Sequence, residues 1–74
     1  MNEMNSTSIS IAVNGSTREL PRATTIAQLL AQLDTAGKRI AVERNGEIVP
    51  KSLHASTILM GGDRLEIVVA VGGG

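Results

Sequence analysis

Residues 8–15 read SISIAVNG, and this short stretch decides the fold. Its first six residues alternate strictly between two sides of the chain, as in a half-buried strand. The apolar side consists of Ile9, Ile11 and Val13. Asn14-Gly15 then supplies the positive φ angles that a type I′ turn needs at both central positions. The sequence therefore predicts a β-hairpin whose second strand spans residues 17–20 and is closed by Pro21.

A helix is predicted directly after this hairpin. Thr25 and Gln28 fit a capping box, in which the first side chain caps the helix and the second reaches back. The residues that follow keep helical spacing and form one apolar face, made of Ile26, Leu29, Leu30 and Leu33. The helix should end within residues 34–37, with Gly37 as the stop.

The second half of the chain repeats the hairpin signal. Residues 40–44 read as a third strand, Asn45-Gly46 as a turn, and residues 47–49 as a short fourth strand ended by Pro50. Residues 51–56 have no clear period and should form a loop or one turn of helix. The apolar residues 58–60 should lie under the sheet.

The chain closes with its longest strand. Residues 61–63 form a turn, residues 64–71 read as the last strand, and residues 72–74 are all glycine. The order hairpin, helix, hairpin and final strand predicts an α+β fold of the β-grasp type, with a mixed sheet of four to five strands. One helix can cover one face of such a sheet, so the other face should stay open.

This organisation gives one domain over residues 8–71. Residues 1–7 are polar and are expected to form a flexible arm, and residues 72–74 a flexible tail that can bury no apolar surface. A chain of 74 residues has room for no second domain.

Composition excludes several classes of function. The chain has no cysteine, so thiolate chemistry, disulfides and soft metal sites are ruled out. It has no aromatic residue on which nucleic-acid bases could stack, and its formal net charge is zero, which argues against binding to a phosphate backbone. No stretch resembles a membrane span or a signal peptide, so a cytoplasmic location is expected.

The sequence resembles the ThiS family of sulfur carriers of thiamine (thiazole) biosynthesis, which have a ubiquitin-like β-grasp fold. The matching segments are residues 13–15, 25–33, 45–50, 62–68 and the terminal glycines. Their order and spacing carry the resemblance, since each segment alone is weak. The resemblance implies that the last strand lies centrally beside the first. The shared minimum ending is Gly73-Gly74, so Gly72 is an addition.

The resemblance places the working group at the carboxylate of Gly74. A free carboxylate is unreactive toward nucleophiles, but adenylation converts it to a mixed anhydride that sulfur can attack to give a thiocarboxylate. Because the chain has no cysteine, a partner must deliver the sulfur. Three extended glycines reach roughly 10 Å and, lacking Cβ atoms, can enter a narrow channel. The alternative is that the glycines are merely a low-complexity end.

The resemblance also implies the partners and the binding surface. The chain would be a protein co-substrate rather than an enzyme, monomeric when free, with no metal and no cofactor of its own. A ThiF-type adenylating enzyme would use ATP on it, and a ThiG-type thiazole synthase would take the sulfur. The residues expected to bind these partners are Val68, Ala70, Val71, Gly72 and Gly73.

Alternation along the last strand places Val68 and Ala70 on the face opposite the helix, where with Ala12 they could form an open apolar patch. Ordinary sheet surface explains the same residues equally well. Arg64 and Glu66 would flank this patch and could steer a partner by their charge.

Two other functions stay open from the sequence. One is a MoaD-like sulfur carrier for molybdopterin synthesis, and the other is a ubiquitin-like protein modifier or binding module. The remaining candidate residues favour ordinary roles: His54 as a solvated loop residue, Asp63 as the cap of a turn, and the scattered basic residues as exposed side chains.

Overall fold

The computed structural model describes residues 7–35 and 38–70. Five strands form one mixed sheet in the spatial order β2-β1-β5-β3-β4. The strands are β1 (Ser8–Val13), β2 (Ser16–Pro21), β3 (Ile40–Arg44), β4 (Glu47–Val49) and β5 (Arg64–Val69). The last strand runs parallel to β1 and antiparallel to β3. The predicted β-grasp fold, with the last strand central beside the first, is confirmed.

Both hairpins turn at the predicted Asn-Gly pairs. Asn14 and Gly15 have φ angles of 51° and 86°, and Asn45 and Gly46 have 54° and 88°. All four lie in the left-handed region that a type I′ turn requires. Strand β2 is one residue longer than predicted at each end, and Pro21 is tolerated there because β2 is an edge strand.

Helix α1 (Ile26–Gln32) covers one face of the sheet. The predicted capping box is present, since the Thr25 hydroxyl accepts from the Gln28 N–H at 3.1 Å and the Gln28 side chain accepts from the Thr25 N–H at 2.9 Å. The predicted stop is wrong. The helix ends at the C-cap Leu33, and Asp34 takes the left-handed conformation with φ 58°, which aspartate tolerates better than most residues. Gly37 lies outside the described residues.

The core lies between α1 and the sheet and is entirely aliphatic among the described residues. Its buried members are Ile11, Leu20, Ile26, Leu29, Leu30, Val42, Leu59, Leu65 and Ile67. The expectation that residues 58–60 all lie under the sheet is wrong, because only Leu59 is buried. Ile58 pairs with Thr25 in an isolated β-bridge, so this segment is extended, and its side chains alternate between the core and solvent.

The loop between β4 and β5 begins with a short 3₁₀ helix (Lys51–Leu53), as one of the two predicted alternatives. His54 at its end is 7% exposed, so the prediction of a solvated histidine is wrong. Its Nε2 lies 3.1 Å from the Val49 carbonyl oxygen, which can only accept, so Nε2 carries the proton. The His54 carbonyl in turn accepts from the Ala27 N–H at 2.9 Å, one of the first-turn donors that a helix leaves unpaired. His54 therefore joins β4 to the start of α1.

Candidate functional site

The predicted site lies at the C-terminal end of β5. Val71, Gly72, Gly73 and Gly74 lie outside the described residues, so the structure describes the approach to the predicted reacting group. That approach is tied to the sheet as far as Ala70, whose N–H donates to the Arg39 carbonyl at 2.9 Å.

Val68 lies on the face of the sheet opposite the helix, as predicted. It is 61% exposed, while its neighbour Ile67 is buried on the core side. Directly opposite Val68 on β3 is Ala41, which is also exposed. Ile48 on β4 is 62% exposed and lies one diagonal step from Ala41 on the same face. Val68, Ala41 and Ile48 together are called the Val68 patch below.

The predicted membership of this patch was partly wrong. Ala12 is on the open face but pairs with Arg64, four residues before Val68 on β5. At about 3.3 Å per residue this separates Ala12 from Val68 by roughly 13 Å. The sequence pattern of β5 did not reveal Ala41 and Ile48. The register of β3 against β5 places Ala41 opposite Val68, and the register of β4 against β3 adds Ile48 diagonally beyond Ala41. Residues 40–49 do not alternate strictly, so no local pattern indicated these two members.

Charged side chains border the Val68 patch. Glu66 is exposed on the same face, as predicted, and the register adds Glu43 directly opposite it. Arg64 is exposed on this face too, but it lies about 13 Å along β5 from Val68, beside Ala12. Two carboxylates facing each other across a strand pair repel one another. A basic group placed at this position would relieve that repulsion.

A buried carboxylate fixes the opposite end of β5. Asp63 is 6% exposed, and its Oδ2 accepts from the Arg44 Nε at 2.8 Å and from the Met60 N–H at 2.9 Å. Its Oδ1 accepts from the Asn45 amide at 3.0 Å. The predicted turn cap is confirmed by the Met60 bond. The ion pair with Arg44 is additional, so Arg44 is not simply a solvated side chain.

These contacts set the ionisation of Asp63. Burial on its own raises the pKa of the Asp63 carboxyl, but the hydrogen bonds donated by Met60, Asn45 and Arg44, together with the Arg44 charge, outweigh burial and hold the pKa below its usual range. Asp63 is therefore a structural anion that joins the β3–β4 hairpin to the start of β5.

Each hairpin asparagine also reaches β5 with its side chain. The Asn45 Oδ1 accepts from the Arg64 N–H at 2.9 Å. The Asn14 Oδ1 accepts from the Ile67 N–H at 2.7 Å, and its Nδ2 donates to the Ile67 carbonyl at 3.1 Å. Sequence reasoning assigned these residues only to their turns. A positive φ requirement explains asparagine or glycine equally well, so nothing local indicated the second role.

No metal centre is present within residues 7–35 and 38–70, where no three His, Cys, Asp or Glu side chains group together. Neither α1 nor the 3₁₀ helix is long and apolar enough to cross a membrane.

Comparison with known proteins identifies the relatives of this chain. The model of the ThiS family matches residues 7–74. The chain is 39% identical over 66 residues to the uncharacterized protein ycf40 of Pyropia yezoensis, covering 89% of this chain and 93% of that protein. It superposes on the crystal structure of the thiamine biosynthesis protein ThiS from Geobacter metallireducens with a TM-score of 0.75 at 28% identity, over 89% of this chain and 100% of that one.

Two longer relatives are thiazole synthases. That of Paramagnetospirillum magneticum is 44% identical over 64 residues, which are 86% of this chain but 20% of the synthase. That of Magnetococcus marinus is 34% identical over the same share of each chain. The chain therefore spans about a fifth of the length of these synthases.

Proposed function

The chain belongs to the ThiS family of small sulfur carriers of thiamine biosynthesis, and we propose that its Gly74 carboxylate is the group that carries the sulfur. The observation that supports this most is the extent of the family match, which continues through the terminal glycines to residue 74.

In the proposed reaction the chain is a co-substrate of two enzymes. A Gly74 carboxylate oxygen attacks the α-phosphorus of ATP on an adenylating enzyme of the ThiF type, and pyrophosphate leaves. Hydrosulfide, or a sulfur donor at the same oxidation level, then attacks the carbonyl carbon of the acyl adenylate. AMP leaves with its electron pair, and the product is a C-terminal thiocarboxylate.

The described geometry is consistent with a chain that supplies the carboxylate while partner enzymes catalyse the reaction. The domain is anchored at the start of β5 by Asp63, and Val68 near the other end of β5 and Ala70 just after it are exposed, directly before the terminal segment in sequence. The chain supplies no thiol of its own. We propose that the Val68 patch docks on the adenylating enzyme and so directs the terminal segment toward the ATP site.

The sulfur recipient we propose is a thiazole synthase. Support comes from the two thiazole synthases, each of which contains within one longer chain a segment of 64 residues that is similar to this chain, at 44% and 34% identity. In those proteins the segment and the rest of the synthase are covalently joined in one chain. A separate chain of the same family would have to reach the same partner by binding.

The test is intact mass spectrometry after incubation with the adenylating enzyme, ATP and a sulfur source. The wild-type chain should gain the mass of one oxygen-to-sulfur exchange, localised to the C-terminal peptide. A chain extended by one alanine after Gly74 moves the carboxylate by about 3.5 Å, and a misplacement of about 1 Å can already lower a rate on the order of a hundredfold.

Matched controls separate chemistry from folding. The extended chain and a chain lacking Gly73 and Gly74 should keep the thermal stability of the wild type, because the terminal glycines have no side chain to add to the core. Conversion of the untrimmed, extended chain at the wild-type rate would show that the terminal carboxylate is not the working group.

A further inference from the structure

The two long sides of β5 are paired differently. Ala70 donates its N–H to Arg39, and Asn45 donates its N–H to the Arg64 carbonyl, so the even-numbered residues of β5 direct their backbone groups toward β3. Leu65 accepts from the Asn14 N–H at 2.9 Å on the other side. Backbone groups alternate along a strand paired on two sides, so the odd-numbered residues of β5 face β1.

Strand β1 is offset along β5 and covers only the start of this second side. Its pairing with β5 ends at Val13 opposite Leu65, where the chain turns back into β2. The Asn14 side chain extends the pairing by one step, since its amide satisfies both the N–H and the carbonyl of Ile67. The next residue of β5 on this side is Val69.

Val69 therefore presents an unoccupied edge among the described residues. Its register partner on β3 is Ile40, but alternation directs its own N–H and carbonyl away from β3. No strand of residues 7–35 or 38–70 lies opposite those two groups. The Val69 side chain is also partly exposed. An unpaired strand edge is a template on which an extended chain adds by backbone hydrogen bonds.

We propose that the Val69 edge accepts an extended segment of the thiazole synthase, which pairs with the Val69 N–H and carbonyl. This inference rests on the proposed function, because it concerns the partner that receives sulfur from Gly74. It adds a mode of recognition that depends on the backbone of β5 and is separate from the Val68 patch on the sheet face.

The position of the edge favours this occupant. Val69 precedes Gly74 by five residues, a reach of at most about 18 Å, so a strand paired there fixes the direction in which the terminal segment leaves the sheet. The thiazole synthases that include a segment of this kind in the same chain favour a lasting contact between the two parts, and backbone pairing next to the terminal segment supplies one.

The first experiment uses the wild-type chain and the thiazole synthase of the same organism, with amide hydrogen exchange measured residue by residue. In the free chain the Val69 amide should exchange faster than those of Ile67, held by Asn14, and Val68, which faces β3. On binding, exchange at Val69 should slow at least tenfold, while exchange at Ile67 should stay the same.

The second experiment compares Val69→Pro with Val69→Ala. Proline removes the N–H that faces the edge and no hydrogen bond to β3, whereas alanine shortens the side chain and keeps the N–H. Binding of the synthase should be about fivefold weaker for Val69→Pro than for Val69→Ala, the effect of one typical hydrogen bond. Should the proline variant fail to fold, the exchange measurement on the wild type still decides.

The outcomes separate this inference from the proposed function. Failure of the synthase to bind the wild-type chain at all counts against the proposed function. Binding without any change in Val69 exchange overturns strand pairing and leaves the proposed function intact. Protection of Val69 in the free chain that disappears on dilution shows that a second copy of the chain occupies the edge, and this too overturns the proposal.

Discussion

The two ends of β5 differ in how they are held. At its start, Asp63 and Asn45 join the strand to the β3–β4 hairpin through hydrogen bonds of 2.8–3.0 Å. The Asp63 carboxylate that accepts three of these bonds is buried. At its other end, Val68 is exposed on one face and Val69 has β3 on only one side within the described part of the chain. One strand thus combines a fixed base and an open end.

This difference is useful for a carrier. In the proposed function the terminal group enters two different enzymes and so needs exposed surface and unpaired backbone next to it, but these features reduce the contacts that hold a strand in place. Fixing β5 at the far end, through the buried Asp63 carboxylate and the Asn45 side chain, compensates for that loss. The stabilising contacts and the proposed partner contacts therefore lie at opposite ends of the same strand.

The largest effect is expected from breaking the fixed end. Asp63→Ala removes the acceptor for Arg44, Asn45 and the Met60 N–H and leaves these donors without it. We expect a loss of about 2–3 kcal/mol in the free energy of unfolding. For a domain of this size that lowers the melting temperature by roughly 10–20 °C, which calorimetry would detect.

Glu66→Ala is the matched control for this prediction, because it removes an exposed carboxylate from the same strand. Its free energy of unfolding should stay within about 0.5 kcal/mol of the wild type. Equal melting temperatures for the two variants would mean that the Asp63 contacts do not hold the strand.

Acid should weaken the fixed end of β5 selectively. The pKa of Asp63 is lower in the folded chain than its usual value, so the unfolded chain takes up a proton first as pH falls. The stabilisation is complete above the unfolded pKa of about 3.9 and is lost as pH falls through the folded pKa. Urea unfolding between pH 6 and pH 2 should show the wild type losing its advantage over Asp63→Ala in that acidic range; an advantage independent of pH would contradict this.

The sequence predicted those parts of the fold that depend on neighbours along the chain. Both Asn-Gly turns, the capping box of α1 and the alternation of β1 are local patterns with a defined backbone requirement, and all of them are confirmed. Prediction from local sequence failed at the end of α1, where two residues could each have ended the helix. Asp34 and Gly37 can both end a helix, and the chain uses the first.

Contacts between distant segments could not be predicted in this way. His54 lies in a loop that is mostly polar in sequence, and its burial follows from packing against β4 and the start of α1. Asn14 and Ile67 are 53 residues apart, so their hydrogen bonds depend on the strand register. The Val68 patch follows the same rule. Its first member could be found from the alternation of one strand, but Ala41 and Ile48 required the order of three strands.

The smallest effect on stability is expected at the open end, from Val68→Asp. A charge at a side chain that is 61% exposed stays hydrated, so the free energy of unfolding should fall by no more than about 1 kcal/mol, the range of strand propensities. Ile67→Asp, one residue earlier on the buried side, should unfold the domain, because an unpaired buried carboxylate is strongly unfavourable.

The same Val68→Asp variant should weaken binding to the proposed adenylating enzyme at least tenfold, since the centre of an apolar interface tolerates charge poorly. Melting temperature and dissociation constant, measured on the same samples, test both statements. Unfolding of Val68→Asp would place Val68 in the core and shift the register by one residue, whereas wild-type binding would make the Val68 patch ordinary sheet surface.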